Sequence, residues 1–383
     1  MDIDKQLRIL QIGDTWINDR VGGLSRYYAS LVNSMLEAGI NLKGLVAGSH
    51  GVEKITNGAV CSMGDDDQNL LLNFLMFHNY FKKNVNINDF DVIVSHFSLI
   101  TFPLLPLLGN KPLIIQFHGP FAFEGEVEND SRLKKVVKYF IERAVYSRGS
   151  KFITLSRAFR DILIEKYKVK PEKIEIIPGG VDCSKFSLDV SRAEARERFS
   201  LPQDRPIIFC IRRTVKRMGL ENLIDAMQKV VKEHPDAMLL VAGKGALLEE
   251  LKERIREYRL ERNARMLGFV PDEDLPVLYR AANFSIVPTV KLEGFGLIVL
   301  ESLACGTPAL VTPVGGLPET VENFRPELIL QSSSVDDIAD GISRALSGDL
   351  KLPTREECID YVRKNCDWSI ISRRIYDFYK TVV

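Results

Sequence analysis

The chain has 383 residues, 45% of them apolar and 27% charged, with 51 basic residues matched by 51 acidic ones. That length exceeds what a single core usually holds, so two domains are expected. The zero net charge excludes a global field for nucleic acid, and no run of about 18 uncharged apolar residues marks a membrane span.

Met1-Asp2-Ile3-Asp4 shows no signal-peptide pattern and leads into an apolar run, 7–12, that reads as a first strand. Ile12-Gly13 and Val21-Gly22-Gly23-Leu24 then form a loop opening a helix to about residue 37. Glycines there allow close backbone approach to a ligand, although an ordinary tight turn uses the same residues. Asp65-Asp66-Asp67 is a DxD triplet, a pattern that can hold a metal-bound diphosphate. It follows Ser62-Met63-Gly64 in a loop instead of an apolar strand, so it reads as a solvated turn.

Helices are expected over 69–81, 132–146 and 157–167, and strands over 91–95, 112–117, 151–155 and 174–177. The 132–146 helix carries Arg132, Lys134, Lys135, Lys138 and Arg143 beside Val136, Val137, Phe140 and Ile141. Such a helix covers a sheet in most proteins, and it can also dock on anionic lipid. Phe117-His118-Gly119 places a histidine at a strand's carboxyl end, where it can meet a hydroxyl group. His50, His78, His96 and His234 fit no pattern.

At Pro178-Gly179-Gly180 the rhythm resets, and 187–200 reads as a connector with a short helix. Strands follow at 207–211, 237–241, 264–267, 284–287, 308–311 and 327–330. Helices fall at 220–232, 247–258, 297–305 and 335–346. This alternation makes two doubly wound α/β halves, with informative residues in loops after strands. An amphipathic helix ends the chain. Cys61, Cys183, Cys210, Cys305, Cys358 and Cys366 are scattered without CxxC spacing, which suits a reducing compartment better than a disulfide or metal framework.

Two segments of the second half carry chemistry. Arg212-Arg213-Thr214-Val215-Lys216-Arg217 packs four cations into six positions just after a strand, a local cluster able to grip phosphate in a neutral protein. A solvated basic loop would look the same. Glu293-Gly294-Phe295-Gly296-Leu297-Ile298-Val299-Leu300-Glu301 sets two carboxylates eight residues apart around a glycine-rich helix entry. The helix start suits an anion and the acids suit sugar hydroxyls; the plainer reading is a helix with an acidic entry.

The Glu293 to Glu301 spacing resembles the E-x7-E motif of the retaining glycosyltransferases of family 4, which have the GT-B fold. Ala304-Cys305-Gly306-Thr307-Pro308 and Gly315-Gly316-Leu317-Pro318-Glu319 resemble the same family in the same order. So do Ile177-Pro178-Gly179-Gly180-Val181-Asp182, Ala242-Gly243-Lys244-Gly245 and Leu267-Gly268-Phe269-Val270. The resemblance implies two Rossmann-like domains facing across a cleft. Residues 1–186 would take the acceptor, 187–366 the nucleotide sugar, with 367–383 packing back on the first. It also implies that Glu293 binds the donor sugar and Glu301 the ribose. Gly22, Gly23, Gly294, Phe295, Gly296 and Leu297 would meet the diphosphate or sugar, and Gly243 and Val270 would lie along the nucleotide. His118 matches the family's strand-end histidine, and Arg213 its arginine. Met218 stands where the family has lysine, so Arg217 is the expected substitute, with Arg212 or Lys216 behind it.

What the resemblance implies is a retaining, metal-independent transfer of a hexose from a nucleotide diphosphate sugar, UDP being the expected carrier. The acceptor hydroxyl, on a glycan, a lipid-linked sugar or a small molecule, would attack on the face that the diphosphate leaves. His118, Arg213, Arg217 and Glu293 are the expected catalytic residues; no cofactor is expected. The expected location is cytoplasmic, with peripheral contact at the inner membrane surface as an addition. An epimerase of the same fold and a non-catalytic nucleotide-sugar binder are the alternatives, Met218 favouring the second.

Overall fold

The computed structural model describes residues 6–19, 22–48, 51–65, 69–123 and 131–383. Asp66 and Asp67 of the DxD triplet lie outside them, as does Val21. The chain divides into two compact units, Met1–Gly180 with Trp368–Val383, and Val181–Asp367. The first division falls six residues before the expected 186/187, for a local reason. The Val181 N–H donates to the Cys366 carbonyl at 2.9 Å, and the Cys183 N–H to Asp367 Oδ2 at 3.3 Å. Asp182 caps the short helix Cys183–Phe186, whose Phe186 is buried, so this stretch is anchored to the second unit's own end.

Among the described residues the first unit is built on seven parallel strands: β1 Ile9–Thr15, β2 Leu42–Ala47, β3 Val60–Ser62, β4 Val92–Ser95, β5 Leu113–Phe117, β6 Lys151–Thr154 and β7 Ile174–Ile176. Their order is β3-β2-β1-β4-β5-β6-β7. Strands covered by helices on both faces need continuous apolar runs, and Val92–Ser95 and Leu113–Phe117 are buried throughout. Helix Gly23–Glu37 buries Tyr27, Tyr28, Leu31, Val32 and Met35. Against it packs the last helix, Trp368–Lys380, which buries Trp368, Ile371, Ile375 and Tyr379 at helical spacing. Ser34 and Ser372 join the two through a buried 2.9 Å hydroxyl pair.

The second unit holds β8 Ile207–Ile211, β9 Met238–Ala242, β10 Ala264–Gly268, β11 Phe284–Val287 and β12 Ala309–Val311. All are parallel among the described residues, in the order β10-β9-β8-β11-β12. The expected strand over 327–330 is instead a 3-10 turn, Pro326–Leu328, followed by a single bridge from Ile329 to Val311. Pro326 opens that turn, where its missing N–H costs nothing and its fixed φ suits the helical bend.

Candidate active site

Open α/β sheets bind ligands beyond their strands' carboxyl ends, where the strand order reverses. In the second unit that point lies between β8 and β11, and the loops after these strands bring the two chemical segments together. Arg212 Nη2 donates to both Thr289 Oγ1 and Glu293 Oε2. Thr289 Oγ1 also donates to Glu293 Oε2, at 3.2 Å. The Arg212 and Glu293 side chains are only 8% and 14% exposed, so removing either partner strands a buried charge. Both contacts fall on Oε2, which directs the carboxylate and leaves Oε1 as an acceptor for a hydroxyl.

Arg217 is also buried and donates from Nη1 to the Leu292 carbonyl at 2.8 Å. Leu292 has φ +54°, a left-handed conformation costly for a branched side chain, immediately before Glu293. Arg213 is exposed. Thus the arginine paired with Glu293 is Arg212, expected only as a weaker candidate, while Arg213 faces outward beside it. Met218 is buried and chemically inert.

The strand-end loops are also bonded to one another. The Arg212 N–H donates to the Ala242 carbonyl at 2.9 Å, Gly243 N–H to Gly268 at 2.6 Å, and Thr214 N–H to Lys244 at 3.0 Å. Gly243 has φ +134°, and a Cβ there would stand 1.8 Å from the Arg212 carbonyl oxygen. Gly315, at φ +59°, would put a Cβ 2.0 Å from the Glu293 carbonyl oxygen, and the next residue, Gly316, donates to that oxygen at 3.0 Å. Two glycines therefore hold the backbones of Arg212 and Glu293.

Gly296 precedes helix Leu297–Ala304 with φ +92°; Phe295 is buried, whereas Gly294 and Leu297 are half-buried. Glu301, one turn into that helix, is 4% exposed, with the Tyr279 hydroxyl 3.5 Å from Oε2. Val270 is half-buried; its neighbour Phe269 is exposed, and Lys244 Nζ lies 4.9 Å from that ring's centre.

In the first unit the strand order reverses between β1 and β4. Gly22 and Gly23 are exposed at the start of the helix after β1, and Ser25 Oγ accepts from the Gly22 N–H at 3.1 Å. His118, after β5, is half-buried and edge-on to Tyr27 at 4.7 Å. Its Nε2 lies 3.1 Å from Nδ1 of His96, whose Nε2 lies 2.7 Å from Gln11 Oε1. Gln11 Nε2 reaches the Tyr379 hydroxyl at 3.4 Å. Burial holds His96 well below the usual histidine range and pushes His118 down to about 3. With both rings neutral, one proton order satisfies the row. Gln11 Oε1 accepts from His96, His96 Nδ1 accepts from His118 Nε2–H, and His118 Nδ1 remains an acceptor.

Sequence reasoning missed His96, whose signal was its place: it follows β4 as His118 follows β5. It also missed Glu142, a buried carboxylate pushed up to about 7 by burial, against hydrogen bonds from Tyr167, Ala122, Phe121 and Tyr146. Through the Phe121 and Ala122 N–H groups, at 2.9 and 3.1 Å, Glu142 fixes the backbone that follows His118. Among the described residues, no group of three or more His, Cys, Asp or Glu is placed to hold a metal ion.

Comparison with known proteins agrees with this fold. Residues 191–365 match the family model for glycosyl transferases group 1, and 21–185 that for Glycosyltransferase Family 4. The D-inositol 3-phosphate glycosyltransferase of Corynebacterium jeikeium is 30% identical over 307 residues, 76% of this chain and 72% of that protein. A GDP-mannose-dependent alpha-(1-6)-phosphatidylinositol monomannoside mannosyltransferase of Mycobacterium tuberculosis is 28% identical over 54% of this chain and 56% of its own length. Two other curated relatives, an uncharacterized glycosyltransferase of Methanocaldococcus jannaschii and the mannosylfructose-phosphate synthase of Agrobacterium fabrum, are spanned over 59% and 45% of their length. Among solved structures, Anabaena HepE in complex with UDP and glucose superposes with a TM-score of 0.79 at 17% identity, covering 98% of this chain and all of that one. With two parallel-sheet α/β units and matches to both halves, the chain belongs to the glycosyltransferases of group 1, family 4, which share the GT-B fold.

Proposed function

We propose that the protein transfers a hexose from a nucleotide diphosphate sugar to an acceptor hydroxyl, retaining the anomeric configuration and using no metal. The observation that carries this reading is the Arg212–Thr289–Glu293 cluster, a carboxylate held in one orientation beside outward-facing Arg213. Glu293 Oε1 would accept from donor-sugar hydroxyls, and Glu301 would meet the ribose. Gly243, Val270 and the amides of 294–297 would line the nucleotide and diphosphate. Gly22, Gly23 and His118 would serve from the first unit, His118 as a neutral acceptor for a sugar hydroxyl.

As the bond to the diphosphate breaks, negative charge grows on the departing phosphate, and Arg213 and Arg217 would stabilise it. With Met218 unable to carry charge, that work falls to arginines. The leaving phosphate would take the proton of the attacking hydroxyl, so acceptor attack and departure share one face. The relative from Mycobacterium tuberculosis is named for GDP-mannose and the Anabaena structure contains UDP, so both carriers belong in the test.

The purified chain, in EDTA-treated buffer, is incubated with UDP-, GDP- and ADP-hexoses. One donor should raise the melting temperature by mass action, and adding acceptor should release nucleotide and form a glycoside with the donor's anomeric configuration. Glu293→Gln and Arg213→Ala should each cost about a hundredfold or more in kcat/KM, and Arg213→Ala should leave the melting temperature unchanged. An epimerised donor, an inverted glycoside, loss of transfer in EDTA, or wild-type turnover in both variants would reject the corresponding element of this reading.

A further inference from the structure

Of the twelve large apolar side chains exposed among the described residues, eight lie on two helices of the first unit, four on each. On helix Leu70–Asn84 the inward face holds Asn73, Phe77 and Phe81, while Leu71 and Leu75 stand outward at 73% and 61% exposure. On helix Arg132–Arg148 the inward face holds Ile141, Glu142, Val145 and Tyr146. The opposite face repeats Leu133, Val136, Val137 and Phe140 at helical spacing, with Leu133 75% and Phe140 64% exposed. A helix that only covers a sheet is polar on its far side; both of these are apolar there.

The two helices are neighbours. The Phe102 ring lies 5.6 Å from Phe74 and 6.4 Å from Phe140, so one aromatic row bridges them. On the two helices themselves the exposed charges have one sign. Exposed Arg132, Lys134 and Arg143 flank it on one helix, and Lys82 and Lys83 end the other. Lys138 and Lys135 rest over the Phe121 and Phe123 rings, at 4.1 and 5.0 Å. Neither helix has an exposed acid: Leu70–Asn84 contains none, and Glu142 is buried.

We infer that this face binds the surface of a bilayer containing anionic lipid, its leucines, valines and Phe140 entering the headgroup boundary while the flanking lysines and arginines meet phosphate. The charge complementarity carries that choice. A protein with no net charge gathers cations around exposed hydrocarbon, the pattern of a helix lying in the plane of a membrane. Glu124, Glu126, Glu128 and Asp130 precede the second helix in the chain, so the dependence on lipid charge is part of the test. No helix among the described residues is long and apolar enough to cross a membrane, which makes the association peripheral. This inference is independent of the sugar-transfer reading.

The test is co-sedimentation of the full chain with phosphatidylcholine vesicles, with and without phosphatidylglycerol. Binding should be about tenfold or more tighter with the anionic lipid and should weaken as salt is raised. The double variant Leu75→Glu and Phe140→Glu should bind about tenfold or more weakly with its melting temperature and donor binding unchanged, because both side chains already face solvent. Failure to bind anionic vesicles, equal binding to both vesicle types, or undiminished binding by the variant would overturn the inference. So would a dimer in vesicle-free solution that the variant dissociates while no lipid is bound, since the occupant would then be a second copy of the chain.

Discussion

At the residue scale, Arg212 and Arg213 show how one position changes a side chain's work. The backbone continues in strand-like fashion past Ile211, with Arg212 N–H still bonded to Ala242, so alternation turns Arg212 inward and Arg213 outward. The cation cluster was legible in the sequence, but which arginine pairs with Glu293 depended on where strand geometry stops, and no residue there marks it. The histidine row was invisible for a related reason: Gln11, His96, His118 and Tyr379 are far apart in the chain and meet only through the strand order. Its pH dependence can be measured. A lowered folded-state pKa means that the unfolded chain takes up protons first, so the contribution is complete above 6.5 and is lost as pH falls below it. The loss should approach roughly 1 kcal/mol per pH unit for each histidine. Urea denaturation at neutral and mildly acidic pH should show that slope reduced in a variant with His96→Asn and His118→Asn. Equal slopes would refute the assignment.

At the element scale, strongly periodic segments were readable: 157–167 and 207–211 were expected with the bounds observed. The misses were short or interrupted. β2 contains Gly44 and an exchange of apolar for charged character at Lys43, and β3 has three residues, too few for a period to show. Here, too, the loops after β11 and β12 depend on one residue. Gly315→Ala combines a left-handed φ with a 2.0 Å approach to the Glu293 carbonyl, so it should cost about 2 kcal/mol or more in stability. Chemical denaturation measures that cost, and donor affinity should fall with it because Glu293 moves. A variant as stable as the parent would show that the loop relaxes freely.

At the scale of the whole molecule, the first unit is closed by helix Trp368–Lys380, which follows the whole second unit in the chain. Trp368 stands edge-on to Tyr27 with ring centres 5.0 Å apart, and Tyr379 is buried against Gln11. Ending the chain after Asp367 removes Trp368, Ile371, Ile375 and Tyr379 from a core and uncovers helix Gly23–Glu37. The truncated protein should lose cooperative unfolding of the first unit and become protease-sensitive within 6–180, while 181–367 stays resistant. Limited proteolysis with mass mapping would report both. Uniform resistance would show the last helix to be dispensable.

That closure also sets a timetable for biosynthesis. The ribosome makes all seven strands of the first sheet long before Tyr379, which follows Gln11 by 368 positions. The continuous second unit can finish folding while the first still waits with an apolar helix face open. Nascent chains are therefore most in need of a chaperone until helix Trp368–Lys380 has emerged, and a stop codon ahead of Trp368 would yield a protein with one sound unit and one unfinished unit.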